Sequence, residues 1–400
     1  MATDLKDLAH PVDAAAVLRL LPDRPRLLAV GEPTHRADTL LDLRNELFRQ
    51  LAEEHGYRTI ALETDCLAGL LVDAYVTTGA GTLDDVVERG FGHGWNDLPA
   101  NRELVRWMRQ FNENRPQEDR LRFAGFDGPL EITAAESPRQ PLTALHAFLA
   151  AHVDATLLPC TAQTLDDLLG ADARWTEPAA MRDPARSFGR SPQARELRLL
   201  ADELTELLDE QAPHLAAVAP PEDRDRAHLY ARTAVGLLRY HHWMADASPG
   251  RLARLVGVRD RMMADNLHAL AARGPVFTYA HNSHLQRERT TMTMGGASLH
   301  WWSAGALVSA RLGEEYAFVA TALGTIEHQG VAAPPPDTLE GLLHVLPEPR
   351  TVFDPRALAA ALAETSPALR VSPWFGYAPY DPAHLASVDG LVYVRDVHGS

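Results

Sequence analysis

The first part of the chain alternates between short apolar runs and longer amphipathic stretches. Apolar runs lie at 26–30, 58–62 and 121–126, and each is short enough to be a buried strand. Between the first two, residues 38–55 place leucines on one broad face, which predicts an amphipathic helix that ends at Gly56. This strand–helix–strand order predicts parallel pairing of the strands.

The middle of the chain has a different pattern, because leucines at helical spacing dominate it. Residues 141–215 are helical in pattern, with a polar break near 172–193, and longer helices are predicted at 224–246 and 252–273. Apolar strand patterns return at 276–280, 315–323 and 390–397.

Together these patterns predict an α/β protein with a mostly parallel central sheet flanked by helices. Residues 1–135 and 250–400 are predicted to form the catalytic core. Residues 136–249 are predicted to be a helical insertion that caps the active face.

Four of the apolar runs lead directly into polar side chains that are capable of acid–base chemistry. These are Glu32 with His35, Glu63, Asp127, and His281 with His284. In open parallel sheets the ligand crevice lies beyond the carboxyl ends of the strands. We therefore expect the four groups to face one active site.

The residue types in this set suit hydrolysis. A histidine takes up a proton near neutral pH, and a carboxylate bound to its other nitrogen fixes the tautomer. Further histidines, or an arginine such as Arg44, supply donors for a developing oxyanion. Three histidines and two carboxylates are also possible ligands of zinc or manganese, but acid–base roles account for them equally well, and we predict no metal and no cofactor.

Other catalytic motifs are missing from the sequence. It contains no G-x-S-x-G nucleophile elbow, no H-E-x-x-H zinc helix and no Walker loop. Cys66 has no evident activating partner, so we interpret it as a small buried side chain. Lys6 is the only lysine, and no interior lysine is available to form a Schiff base.

Composition narrows the choice of partners. The formal net charge is −16, which disfavours nucleic acid and anionic membranes. The N-terminal segment does not resemble a signal peptide, and no apolar run is long enough to span a membrane. We therefore predict a cytoplasmic protein with a small-molecule substrate.

Several of these motifs resemble those of the erythromycin esterase family. Gly31-Glu32-Pro33-Thr34-His35 resembles its G-E-x-T-H-G motif, and His281-Asn282-Ser283-His284 resembles its H-N-x-H motif. The resemblance also includes Arg44, Ala61-Leu62-Glu63, the segment from Phe91 to Asn96, Gly125-Phe126-Asp127 and Arg259-Asp260. It covers roughly residues 26–130 and 255–290.

The resemblance implies an esterase-type fold and attack by water on a macrolactone carbonyl. The general base of the family falls on His35, its supporting carboxylates on Glu32 and Glu63, and its histidine pair on His281 and His284. We expect the substrate to contact Arg44, Arg36, Asp127, Trp95 and Asn282. Arg36 stands where the family has glycine, and we expect it to narrow the pocket, bind an anionic substrate or lower the pKa of His35.

We therefore predict a hydrolase that opens an ester or macrolactone of a polyketide-type natural product, with roles in antibiotic resistance or natural product biosynthesis. One alternative, which Arg36 and the predicted helical cap favour, is a cyclase, lyase or dehydratase that uses the same histidines and carboxylates without water. Another is a protein that binds and sequesters a ligand without turnover.

Overall fold

The structure, a computed structural model, describes residues 5–131, 133–294, 296–374 and 376–399. The chain divides into two compact units. Unit 1 comprises Met1–Phe126, Leu267–Thr291 and Trp302–Ser400, and unit 2 comprises Asp127–Asn266 and Met292–Trp301.

The strands of the described residues are β1 (Leu27–Glu32), β2 (Thr59–Asp65), β3 (Arg122–Asp127), β4 (Leu130–Glu131), β5 (Ala134–Ala135), β6 (Val276–His281), β7 (Arg289–Met294), β8 (Ala297–Trp302), β9 (Tyr316–Thr325), β10 (Arg350–Phe353) and β11 (Gly390–Asp396). Seven of them form one sheet in the order β10-β11-β9-β1-β6-β2-β3. From β11 to β2 the neighbours pair in parallel, and β10 is antiparallel to β11.

The helices are α1 (Ala14–Arg19), α2 (Asp38–Glu54), α3 (Gly69–Thr78), α4 (Leu83–Gly90), α5 (Pro99–Asn112), α6 (Arg139–His152), α7 (Ala162–Leu169), α8 (Pro192–Glu210), α9 (Ala212–Val218), α10 (Pro221–Met244), α11 (Arg251–Ala271), α12 (Asn282–Leu285), α13 (Ala304–Leu312), α14 (Leu339–His344) and α15 (Pro355–Leu362). Many begin at a side-chain cap, such as Thr82 before α4, Ser191 before α8 and Ser303 before α13. The cap oxygen accepts a backbone N–H that the first turn would otherwise leave unpaired.

The core of unit 1 is built around β1, which is buried along its whole length. A strand buried on both faces needs apolar side chains in both directions, and Leu27-Leu28-Ala29-Val30 supplies them. Leu40, Leu47 and Phe48 of α2 belong to the same core cluster as Leu28 and Val30. The apolar face that the sequence assigns to this helix is therefore the buried one.

Unit 2 has a leucine-rich helical core of its own. Buried leucines of α6, α7, α8 and α10 form one cluster with Trp175 and Phe188. The polar segment between α7 and α8 contains short 3-10 turns, which agrees with the predicted break in the helical pattern.

The predicted fold class is confirmed: the protein is α/β, with a mostly parallel central sheet flanked by helices. The short strands β7, β8 and β10 and the helices α13–α15 were not predicted. β10 has only four residues, too few to show a two-residue period. None of the described helices is long and apolar enough to cross a bilayer.

Candidate active site

A histidine–carboxylate pair lies where β1 ends. Nδ1 of His35 lies 2.7 Å from Oε1 of Glu32, and Glu32 is 1% exposed while the His35 side chain is 38% exposed. Because a carboxylate accepts hydrogen bonds only, this contact places a proton on Nδ1. The Nε2 atom of a neutral His35 is then free to accept a proton.

The carboxylate of Glu63, at the end of β2, connects three histidines. Its Oε2 accepts a hydrogen bond from the backbone N–H of His281 at 2.8 Å. Its Oε1 lies 3.4 Å from Nε2 of His284 and 4.0 Å from Nε2 of His35. β1, β6 and β2 are neighbours in the sheet, so three of the four polar strand ends meet at one edge as the sequence predicts.

The protonation of His35 is set by two opposing effects. Burial lowers its pKa, but the negative charges of Glu63 and Glu32 outweigh burial, and the pKa is raised above its ordinary 6.5. The cationic form of His35 is therefore stabilised near neutral pH.

His281 has the opposite behaviour. Burial and the neighbouring His35 lower the pKa of His281 to about 3, so it stays neutral. Its Nδ1 accepts the backbone N–H of Ser283 at 3.2 Å, which leaves the ring proton on Nε2, 3.3 Å from the carbonyl oxygen of Pro33. The rings of His281 and His35 lie 5.2 Å apart, so a neutral imidazole lies beside His35.

Asn282, which directly follows β6, hydrogen-bonds to the backbone of β9. Its side-chain amide donates to the carbonyl of Thr321 in β9 at 2.8 Å, and its Oδ1 accepts the N–H of Thr321 at 3.3 Å. A Cβ atom on Gly31 would lie 2.1 Å from that oxygen, so β1 needs glycine at this position. Both polar groups of Asn282, which was predicted to contact substrate, are thus bonded to backbone.

Arg44 lies in the interior rather than in an open pocket. It is fully buried, donates from Nε and Nη2 to Asn45, and lies 5.6 Å from the ring centre of Tyr279. The Tyr279 hydroxyl in turn donates to Oε2 of Glu32 at 2.9 Å. Within the described residues Nη1 of Arg44 has no hydrogen-bond acceptor.

Tyr279 is a residue that sequence reasoning missed. Burial and the charge of Glu32 raise its pKa well above 10, so the hydroxyl remains a donor. A signal was present, because residues two apart on a strand point to the same face and Tyr279 precedes His281 by two.

Trp95 packs beside His35. It is 6% exposed, and its ring centre lies 5.4 Å from that of His35. Arg36 holds the loop that carries Trp95, since its guanidinium donates to the carbonyl of Gly94 and to Asp97, both at 2.7 Å.

The backbone at Arg36 explains the glycine that the family has there. Arg36 has a φ of +61°, in the left-handed region that glycine adopts without steric cost. An arginine at this position costs about 1–2 kcal/mol in backbone strain. Its contacts with the 94–97 segment work against that cost.

Asp127 belongs to unit 2, where it makes a buried ion pair with Arg259. Oδ2 of Asp127 lies 2.6 Å from Nη2 and 2.9 Å from Nε of Arg259, and the two side chains are 0% and 8% exposed. The two N–H···O contacts with Arg259 partly offset the cost of burying the carboxylate of Asp127.

The described part of the chain contains no group of three or more His, Cys, Asp or Glu side chains arranged to hold a metal ion. What unit 1 does contain is a histidine backed by one buried carboxylate and facing a second, with two more histidines beside it. These side chains, at the carboxyl ends of parallel strands, are of the types that can exchange protons with a bound molecule.

The fold and this site define an α/β protein with a histidine–glutamate acid–base centre. The sequence profile of the erythromycin esterase family matches residues 52–397, and the chain belongs to that family. The matched segment includes Glu63, His281 and His284, and it begins after Glu32, His35 and Arg44. None of the curated proteins matches the chain.

Solved structures with the same fold are distant in sequence. A protein from Bacillus cereus is 16% identical with a TM-score of 0.73, and covers 99% of this chain and 97% of its own. A succinoglycan biosynthesis protein is 14% identical with a TM-score of 0.71, with 99% and 96% covered. A histidine-to-asparagine mutant of the erythromycin esterase EreC, in its open conformation, is 18% identical with a TM-score of 0.67, with 96% and 93% covered.

Family membership supports a hydrolase.

Proposed function

We propose that the protein opens an ester or macrolactone of a polyketide-type natural product by attack of a water molecule that His35 activates. The observation that carries the proposal is the 2.7 Å contact between Nδ1 of His35 and Glu32, which directs Nε2 outward as the base. Membership of the erythromycin esterase family, together with the likeness of this chain to the EreC structure, favours a macrolide-type substrate over other esters.

In this mechanism water lies between Nε2 of His35 and Oε1 of Glu63, which are 4.0 Å apart. His35 takes a proton from water as the oxygen attacks the carbonyl carbon, and Glu32 stabilises the resulting imidazolium. His35 then returns the proton to the departing alkoxide. The products are an alcohol and a carboxylic acid, which releases its proton to solvent, so the substrate gains one water.

Two further histidines are suited to stabilise the tetrahedral oxyanion. His281 is neutral, and in this mechanism its Nε2 proton turns from the carbonyl oxygen of Pro33, 3.3 Å away, to the oxyanion. His284 lies against Glu63. Arg44 acts at a distance, because it is buried behind Tyr279 and favours the negative charge on Glu32. These residues therefore position or stabilise charge, and His35 moves the proton.

The test is hydrolysis of a panel of macrolactones and simple esters by the wild type and by His35→Ala. We expect kcat/KM to fall by about 10²-fold to 10⁴-fold, the range of general-base contributions, while the variant retains a cooperative thermal unfolding transition. The matched control is His10→Ala, an exposed histidine. A folded His35→Ala variant with wild-type turnover would disprove the assignment.

Product mass distinguishes hydrolysis from the alternative of a cyclase, lyase or dehydratase. Hydrolysis adds one water to the substrate, cyclisation adds none, and dehydration removes one. Arg36, which the sequence offers as a reason for the alternative, is bonded to Gly94 and Asp97. That pairing weakens the argument for a different reaction.

A further inference from the structure

Unit 2 contains a cavity of about 420 Å³ between α10 and α11. Trp243 and Met262 supply apolar wall, and Gly236 and Gly257 also line the cavity. Gly236 permits close packing, since a Cβ there would lie 2.5 Å from the sulfur of Met262. The volume falls within the range of about 300–1,000 Å³ that is typical of small-molecule sites.

Arginines surround this cavity in a regular pattern. Arg232 and Arg239 lie seven residues apart on α10, and Arg254 and Arg261 lie seven residues apart on α11. Seven residues are two helical turns, so each pair lies on one face of its helix, about 10 Å apart. Asp265 is the only acidic side chain among the described lining residues.

Two of the four arginines, Arg239 and Arg254, have neither an ion pair nor a side-chain hydrogen bond among the described residues. Arg261 pairs with Asp265 at 2.9 Å, and Arg232 donates to Asn266 at 3.2 Å. Among the described residues Arg239 makes no ion pair, and Arg254 contacts the face of Trp243, with 4.9 Å from its guanidinium carbon to the ring centre. In a chain with 54 acidic and 38 basic residues, such unpaired cations on a cavity wall are unexpected.

The positive charge extends beyond the cavity wall. Burial and the neighbouring charge of Arg239 lower the pKa of Arg198. Burial, Arg198 and Arg190 likewise lower the pKa of His242. An anion placed here would relieve repulsion between these groups.

We propose that this cavity binds a small organic anion, an apolar body that carries one carboxylate. Arg239 and Arg254 would bind the carboxylate, because the guanidinium fork matches its two oxygens. Trp243 and Met262 would contact the apolar body. The proposal concerns unit 2 and does not depend on the reaction proposed for His35.

The experiment is calorimetric titration of the full chain with naphthalene-2-carboxylate. Its neutral counterpart, 2-naphthalenemethanol, has the same apolar body, and inorganic phosphate has the charge alone. We expect the carboxylate to bind at least about fivefold more tightly than the alcohol or phosphate, which corresponds to the upper end of one exposed ion pair. Added salt should weaken the binding of the carboxylate and leave the binding of the alcohol unchanged.

Variants locate the binding. Each single variant, Arg239→Ala or Arg254→Ala, should lower the affinity for naphthalene-2-carboxylate by about threefold to tenfold. The double variant should bind the carboxylate no more tightly than it binds the alcohol. Arg182→Ala, an exposed arginine of the same unit that does not line the cavity, is the matched control and should bind like the wild type. All these positions are exposed, so folding is expected to survive.

Three outcomes would overturn the proposal. Equal affinity for the acid and the alcohol would show that the arginines do not recognise the anion. Equal affinity for phosphate would show that the apolar wall contributes nothing. Binding that Glu63→Gln abolishes and Arg239→Ala/Arg254→Ala leaves intact would locate the anion at the acid–base site instead.

Discussion

Nδ1 of His35 lies 2.7 Å from one oxygen of Glu32, and the Tyr279 hydroxyl donates to the other oxygen at 2.9 Å. Both oxygens of this buried carboxylate are therefore hydrogen-bonded, which fixes its orientation. A fixed carboxylate in turn fixes the tautomer and the direction of His35. The order Tyr279, Glu32, His35 leads from the interior to the exposed face.

Tyr279→Phe removes the donor and keeps the shape of the side chain. Hydrogen bonds to charged groups contribute about 1.5–3 kcal/mol, so we expect kcat/KM to fall by about tenfold or more with KM nearly unchanged. Steady-state kinetics measure this. Tyr393→Phe, which removes a buried hydroxyl bonded to His344, is the matched control and should leave the kinetics unchanged. A fall of the same size in both variants would contradict a specific role for Tyr279.

The rate should rise with pH through the titration of His35. The base must be neutral, and the carboxylates raise its pKa above 6.5, so the acidic limb of kcat/KM should have its midpoint above 6.5. Glu63→Gln removes the largest charge that favours the cation, and the limb should move to lower pH. A midpoint below 6.5 in the wild type, or one that Glu63→Gln raises, would contradict this.

The same pKa has a consequence for stability. Because the folded-state pKa of His35 is raised, its protonation favours the folded state. This contribution is complete below the unfolded value of about 6.5 and is lost as the pH rises through the folded value. The Tm difference between wild type and His35→Gln should therefore shrink from pH ~6 to pH ~9, and an increase would contradict the sign.

Arg36→Gly tests whether the loop that carries Trp95 depends on this arginine. Glycine relieves backbone strain of about 1–2 kcal/mol at φ +61°, so Tm should hold or rise. The contacts with Gly94 and Asp97 are lost, so the loop beside His35 should loosen and KM should rise a few fold, by about 1 kcal/mol or less.

Asp97→Ala breaks the same ion pair without changing the backbone at Arg36. It should raise KM in the same way, but it should not raise Tm. Arg89→Ala, which breaks the exposed pair with Asp85, is the control and should alter neither. If Arg36→Gly leaves KM unchanged, the arginine does not position the loop.

The Asp127–Arg259 pair should behave as a buried structural contact of unit 2. Removing either partner takes this ion pair from a buried charge, so Asp127→Ala and Arg259→Ala should each cost about 3–5 kcal/mol in urea unfolding. The double variant should cost less than the sum of the two. Arg261→Ala, in a more exposed pair, should cost about 1 kcal/mol or less. A stable Asp127→Ala variant with a raised KM would instead support the prediction that Asp127 contacts the substrate.

Local sequence patterns predict most strands of the central sheet and the polar residues at its carboxyl edge. Leu27-Leu28-Ala29-Val30 can only be a strand buried on both faces, and the polar residues after each such strand must emerge at the carboxyl edge. The sequence therefore predicts one shared site for five residues: Glu32, His35, Glu63, His281 and His284. These inferences rest on local periodicity and on the direction of parallel strands.

The contacts of each polar group depend on how distant parts of the chain pack together. Arg44 carries a charge that the sequence offers to the substrate, but α2 buries it behind Tyr279. The amide of Asn282 passes over Gly31 to bond Thr321 of β9, a strand that is not adjacent to its own. Strand order and side-chain direction depend on packing between residues far apart in the chain, and no local pattern encodes them.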